Sequence, residues 1–425
     1  MPTSAIALDP SYKLKYIFSA ESLAQPASRV KFQSGDTDRF VMSKNRRLEL
    51  IESIQEKRKS HVLAYVLSDR PNCEGRICPD AVREMCSLLY EMKPIGKKPL
   101  DLFMFAHRGD TTVPWQMVGM IREMFDVFNV IIPYKAHGAA TMVALGADTI
   151  IMGERGELSP IEVLVTGDDG FKEQGWEPSR AVSVEDVTAL VSLMELFGKV
   201  REKQRVDAFL RTMERVNPLL LGTMQKGIEQ TKTDCLRLLE KRSRRFRKGR
   251  NKKIIKKLFS DFVFPHRYIT RSEAVKSIGL KQVRREEALE PLFWELLTSY
   301  EQEFRTNESF CPEILLQQSN QDEMIFPSQK LAYLESAKGT RIFLEDIHVK
   351  KIREYPPTVQ FDPQIVLPPL QIEAESMEEP VWSFIEGWLQ NNLPTLIDQS
   401  FDRFKRSLPI LRHQRVHLNP RWVDE

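Results

Sequence analysis

The sequence predicts an α/β fold, and three stretches between Asp101 and Glu162 carry that prediction. Leu102-Phe103-Met104-Phe105-Ala106 is a buried strand that stops at the turn His107-Arg108-Gly109-Asp110 and leads into a helix. Phe128-Asn129-Val130-Ile131-Ile132-Pro133 is a second strand, passing through Tyr134-Lys135-Ala136-His137-Gly138 into the small-residue helix of Ala139-Ala140-Thr141-Met142-Val143-Ala144-Leu145. Thr149-Ile150-Ile151-Met152 is a third, shorter strand that runs on to Gly156-Glu157-Leu158-Ser159-Pro160-Ile161-Glu162.

Two strand-to-helix turns of this kind form a backbone cradle for an acyl oxygen. Acyl transfer places negative charge on a carbonyl oxygen, and fixed N–H groups meet that charge without reorganising. Removing one such donor costs about 10²–10³ in rate. The candidate oxyanion-hole donors are the N–H of Gly109 or Asp110 and the N–H of Ala139, which opens a helix at its positive end. Taken alone, the same glycines also fit a plain βαβ crossover with tight turns. A nucleophile at the second turn needs a base within about 2.6–3.2 Å. Gly138 has no side chain to supply one, so His107, Lys135 and His137 flank a missing target. Each histidine reads either as a hydrogen-bonded loop residue or as a ligand-binding or general-base group. Thr141 reads as a packing or capping hydroxyl, and Ser159 as a turn residue or N-cap.

The order of these motifs resembles the serine dehydrogenase proteinase family, relatives of signal peptide peptidase A within the Clp protease and crotonase superfamily. That family has a Gly-Gly turn after Thr-Pro, then Ser-Ala-Ala-Thr with the serine as nucleophile, then Leu-Gly-Pro-Ile-Asp. This chain has Arg108-Gly109-Asp110, Gly138-Ala139-Ala140-Thr141 and Leu158-Ser159-Pro160-Ile161-Glu162, so three functional points depart at once. Upstream, Arg46-Arg47-Leu48-Glu49-Leu50-Ile51 and the alternating His61-Val62-Leu63-Ala64-Tyr65-Val66-Leu67 are similar to the family's first helix and strand. Downstream, Pro265-His266-Arg267-Tyr268-Ile269-Thr270 is similar to its closing His-x-Tyr-Pro-Ile-Thr run. The resemblance implies a Clp protease/crotonase-like ββα spiral core over residues 45–305, with a helical arm and a basic insertion near 200–258. It places Gly138 at the degenerate nucleophile position, with His107, His137, Ser159 and His266 around the site. It also implies a closed homo-oligomer.

Composition agrees with a folded cytoplasmic protein: of 425 residues, 42% are hydrophobic and 28% charged, with a net charge of +3. Met1-Pro2-Thr3-Ser4-Ala5 does not open a signal peptide, and no run reaches the roughly 18 apolar residues of a membrane helix. Cys73, Cys78, Cys86, Cys235 and Cys311 are odd in number and scattered, which suits reduced thiols. Cys73 and Cys78 lack a second pair to complete a zinc site, so no metal and no cofactor is expected.

From Lys241 to Lys257 the chain reads KRSRRFRKGRNKKIIKK, a density of like charge that suits phosphates, nucleic acid or an anionic membrane surface. A solvated helix face explains it equally well, because only Phe246 offers a ring for base stacking. Arg244, Arg245, Arg247 and Lys248 are the residues expected to bind a polyanion. Helical spacing runs over Val184–Phe197 and, with a break at Asn217-Pro218, over Val200–Leu239. Residues 1–44 read as an N-terminal extension. Residues 306–425 read as an accessory α+β segment, with short strands at Lys338–Leu344 and Thr358–Phe361 and a helix around Trp382, Ile385 and Trp388.

Two functions follow from these readings. The first is a catalytically inactive family member that binds a peptide or protein ligand. The alternative is an active enzyme, either a peptidase with a substitute nucleophile or a crotonase-like acyl enzyme in which His107 or His137 moves a proton.

Overall fold

The computed structural model describes residues 34–92, 98–161, 164–165, 182–183, 218–241, 248–260, 268–354 and 379–425. The chain divides into two compact units, Met1–Arg46 and Arg47–Glu425. In the first, residues 34–46 are helical, belonging to α1 (Ser34–Arg58). The second holds everything that follows.

Its first half alternates strand and helix. β1 (His61–Leu67) leads to the small hairpin of β2 (Asp69–Arg70) and β3 (Cys73–Glu74), then to α2 (Asp80–Met92) and β4 (Leu100–Phe105). Next come α3 (Val113–Met124), β5 (Phe128–Ile132), β6 (Lys135–Ala136), α4 (Ala139–Leu145), β7 (Thr149–Met152) and β8 (Glu157–Leu158). β9 (Leu164–Val165) and β10 (Val182–Ser183) form a separate two-stranded pair. Helices α5 (Pro218–Lys241) and α6 (Lys248–Ser260) follow, then β11 (Ile269–Thr270), β12 (Val283–Arg284) and α7 (Glu290–Phe304). The last part holds α8 (Pro312–Gln318), β13 (Glu323–Ser336), β14 (Gly339–Arg353), α9 (Glu379–Ser407) and β15 (Ile410–Asp424).

One mixed eight-stranded sheet organises this unit, in the order β12-β7-β5-β4-β1-β13-β14-β15. β12, β7, β5, β4 and β1 run parallel, while β13, β14 and β15 are joined antiparallel. Strands buried on both faces carry continuous apolar residues, and β4 and β5 are buried at every position. β1 departs from the alternation read in the sequence, since all its residues after His61 are buried. Its place between β4 and β13, with both faces covered, is the reason. Helix α2 buries Ala81, Met85, Leu88, Leu89 and Met92 at helical spacing, and α5 and α6 add Cys235, Leu238, Ile254, Ile255 and Leu258 to the same core.

The segment read as an accessory extension contributes three strands to this sheet, and β13 pairs with β1 from Leu63↔Ser336 to Leu67↔Ala332. Of Lys338–Leu344, the residues from Gly339 belong to a 15-residue strand rather than a short one, entered by the tight turn at Ala337-Lys338. β15 carries no fully buried residue, which leaves the sequence without a hydrophobic alternation to reveal it. The helical reading around Trp388 matches α9. Thr358–Phe361 and Val184–Phe197 lie outside the described residues.

Two buried polar groupings brace the unit. On β4, Asp101 accepts hydrogen bonds from Ser60 (2.7 Å) and Asn129 (2.8 Å) and pairs with Arg58. Arg47, fully buried, meets the equally buried Glu335 of β13 at 2.7 Å and Glu303 of α7 at 3.4 Å. Glu335 also accepts from the hydroxyls of Tyr300 (2.6 Å) and Thr340 (3.0 Å).

Candidate functional site

The ends of β1, β4 and β6 meet around Gly138. Ala106, just past β4, bridges Ala136 of β6 in parallel: the Ala106 N–H donates to the Lys135 carbonyl (3.0 Å) and the His137 N–H to the Ala106 carbonyl (2.9 Å). β6 then pairs with β8, and β8 with β11, as a three-stranded sheet. Ala136, Leu158 and Ile269 share the core-facing side and are fully buried. Side chains alternate along strands, so Lys135 and Glu157 share the opposite face. This is the carboxyl end of the parallel strands, where open α/β sheets place their ligands.

Gly138 turns the chain from β6 into α4 with φ +55° and ψ −114°, a conformation that L side chains rarely adopt. A Cβ added there would have no atom within 4 Å. Its N–H donates to the Ser159 hydroxyl at 2.8 Å, and that hydroxyl in turn donates to the Pro160 carbonyl at 2.7 Å. Thr141 is wholly buried; its hydroxyl donates to the Ala136 carbonyl (2.7 Å) and receives the Ser159 N–H (3.2 Å). Both hydroxyls near the turn are thus engaged in holding it.

At the other turn, Gly109 lies against Ile77, and a Cβ added to it would sit 2.4 Å from the Ile77 Cβ. The Ile77 N–H donates to the Arg108 carbonyl (3.0 Å), and the Asp110 N–H donates to the Ile77 carbonyl (2.9 Å). Of the two donors the sequence offered at this turn, the Asp110 N–H is thus engaged by Ile77. The Asp110 carboxylate accepts from the Thr112 N–H (2.8 Å) and hydroxyl (2.7 Å), building the turn into α3. Neighbouring N–H groups in extended chain point opposite ways, so the Gly109 N–H faces away from Ile77. Among the described residues, neither it nor the Ala139 N–H donates to a protein acceptor.

Titratable groups crowd the same mouth. Lys135 Nζ lies 2.6 Å from Asp69; burial draws its pKa down, but the hydrogen bond and charge of Asp69 outweigh this and hold it above the ordinary value. His107 Nδ1 is 3.6 Å from the other Asp69 oxygen, and both ring nitrogens are buried without a hydrogen-bond partner. Burial lowers the His107 pKa despite Asp69. The His137 ring stacks on Tyr268 with centroids 5.2 Å apart. Its Nε2 is 3.1 Å from Glu157 Oε1, yet neither atom has an aligned hydrogen bond. Burial, then Lys135 and His107, bring His137 down to about 4, while burial raises Glu157. Both histidines are therefore neutral at pH 7.

Beyond Tyr134 an open cleft of about 370 Å³ is lined by Pro133, Gly153, Arg155, Glu290, Phe293 and Trp294. Of the residues the sequence singled out, the structure brings His137, Gly138, Ala139 and Ser159 together at the second turn, with His107 close enough to act on the charge of His137, and sets Gly109 against Ile77 at the first. Reading the sequence missed Asp69, Glu157 and Tyr268. Asp69 carried a usable signal as the first charged residue after an apolar strand. His266, Arg244, Arg245 and Arg247 lie outside the described residues, and so does the side chain of Lys248.

No family model matches this chain, and no curated protein matches it. Solved structures resemble it distantly. A point mutant of the 1510-N membrane-bound stomatin-specific protease is 14% identical, with 53% of this chain and 80% of that one covered at a TM-score of 0.32. A second mutant of that protease, in complex with a substrate peptide, is 11% identical, covering 52% and 78% at a TM-score of 0.29. Likeness at this level leaves the chemistry to be read from the site itself. Among the described residues, no three His, Cys, Asp or Glu side chains gather as a metal site, and no helix is long and apolar enough to cross a membrane.

Proposed function

We propose that this protein is a catalytically inactive relative of the serine dehydrogenase proteinase family, with a Clp protease/crotonase-type core, that holds a peptide or acyl ligand non-covalently at the Gly138 turn. The observation that carries this reading is Gly138 itself: a strained strand-to-helix turn is kept, the space beside its Cα is open, and no hydroxyl occupies it. The unengaged N–H groups of Gly109 and Ala139 supply donors for a carbonyl or carboxylate oxygen. The test is a fluorophosphonate probe, which should leave the protein unlabelled. Stoichiometric labelling that disappears in Ser159→Ala or Thr141→Val would overturn the reading.

A second reading is favoured by the unpartnered His107 nitrogens and the close approach of His137 to Glu157. In it, the donors stabilise an enolate on an acyl ligand and a neutral histidine moves the α-proton, as crotonase-type chemistry requires no serine. Solvent deuterium entering the α-carbon of an acyl thioester, and lost in both His107→Gln and His137→Gln, would establish that reading. Absence of exchange leaves the binding role.

A further inference from the structure

Helix α6 presents positive charge that no carboxylate among the described residues pairs with. Its sequence, KGRNKKIIKKLFS, holds six cations and no carboxylate. Ile254, Ile255 and Leu258 are buried in the core, which fixes the opposite face outward and leaves Lys252, Lys253 and Lys256 exposed. Arg250 and Lys257 cap the carbonyls of Gly279 and Ser277. Lys252, Lys253 and Lys256 have no ion-pair partner among the described residues. The adjoining helix α5 behaves differently, pairing Lys232 with Glu229 at 3.1 Å and Arg237 with Asp234 at 3.9 Å.

This arrangement works against the helix that carries it. Lysines four apart, Lys252 with Lys256 and Lys253 with Lys257, repel one another across a helix turn. The first turn has no acid to offset the positive end of the helix dipole. An anionic partner removes both penalties.

We propose that the outer face of α6 binds the phosphate backbone of nucleic acid, without reading its sequence. A rise of about 1.5 Å per residue sets Lys252 and Lys256 about 6 Å apart along the axis, close to two phosphate steps of roughly 3.4 Å on one strand. A membrane surface fits less well, because the apolar side of α6 is spent on the core and none remains to enter lipid. No aromatic ring lies on the exposed face, so base stacking and sequence preference are not built in.

The test is binding of the full chain to a short duplex DNA, read by fluorescence anisotropy as a function of salt. Log affinity should fall linearly with log salt, and Lys252→Gln/Lys253→Gln/Lys256→Gln should make the slope shallower by about 2–3, at about 0.9 per phosphate contact. Replacement of the same three by arginine should keep the binding. The melting temperature should not fall in either, since the three side chains are exposed and the glutamine variant only relieves their mutual repulsion. Absence of binding at near-physiological salt, an unaltered slope in the glutamine variant, or binding to phosphatidylserine vesicles but not to duplex would each overturn the proposal.

Discussion

At the scale of single residues, the site is governed by what its neighbours do to charge. His137 is the clearest case, since burial first, and then Lys135 and His107, bring it down to about 4 from an ordinary 6.5. A histidine held neutral in the fold must take up a proton when the chain unfolds at lower pH. Its contribution is therefore fully present above about pH 6.5 and is lost as pH falls toward 4, by up to about 3 kcal/mol at 1.36 kcal/mol per pKa unit. Urea unfolding of the parent and of His137→Gln at several pH values checks this. The parent should lose stability more steeply than the variant over that interval, and parallel curves would refute the assignment. Glu157, raised by burial, has the opposite pH sense, because the charged form that the fold penalises is the deprotonated one, so its cost appears as pH rises rather than as it falls.

At the scale of elements, the two glycine turns serve different ends. Gly109 is glycine because β4's continuation passes against Ile77, where a Cβ would approach a side-chain carbon at 2.4 Å and backbone atoms at 2.9 Å. Gly138 is glycine for its positive φ alone, with open space around it. Gly138→Ala should then cost only the conformational strain of about 1–2 kcal/mol. Gly109→Ala should cost more, at the upper end of the roughly 1–3 kcal/mol of an overpacked core or beyond. Denaturation midpoints of the two variants measure the ranking, and the reverse order would mean that the turn at Gly138 is packed rather than open.

At the scale of the whole molecule, the long sheet is held to its flanking helix by buried charge. Arg47 reaches Glu335 on β13 and Glu303 on α7, with its guanidinium over the rings of Tyr300 (5.3 Å) and Tyr333 (5.0 Å). Removing one member of a buried ion pair strands the other and typically costs about 3–5 kcal/mol. Arg47→Met should therefore destabilise the protein by that amount in urea titration, while Arg47→Met combined with Glu335→Leu should recover much of the loss. A single variant costing less than about 1 kcal/mol would show that water or another cation already compensates Glu335.

Much of this fold is written in local pattern. β4, β5, β7 and α4 announce themselves by apolar runs, turn residues and small side chains, because each responds to burial and backbone preference within its own few residues. The turn at Gly138, entered through His137, and the earlier turn at His107 were legible for the same reason. Tertiary structure decided the rest. The spending of Asp110's N–H on Ile77, the meeting of Lys135 with Asp69, and the approach of His137 to Glu157 depend on which strand lies across from which. The joining of β13 to β1 does as well, across more than 260 residues of chain. A backbone donor or a side-chain charge has many possible partners along a sequence, and only the packed sheet selects one.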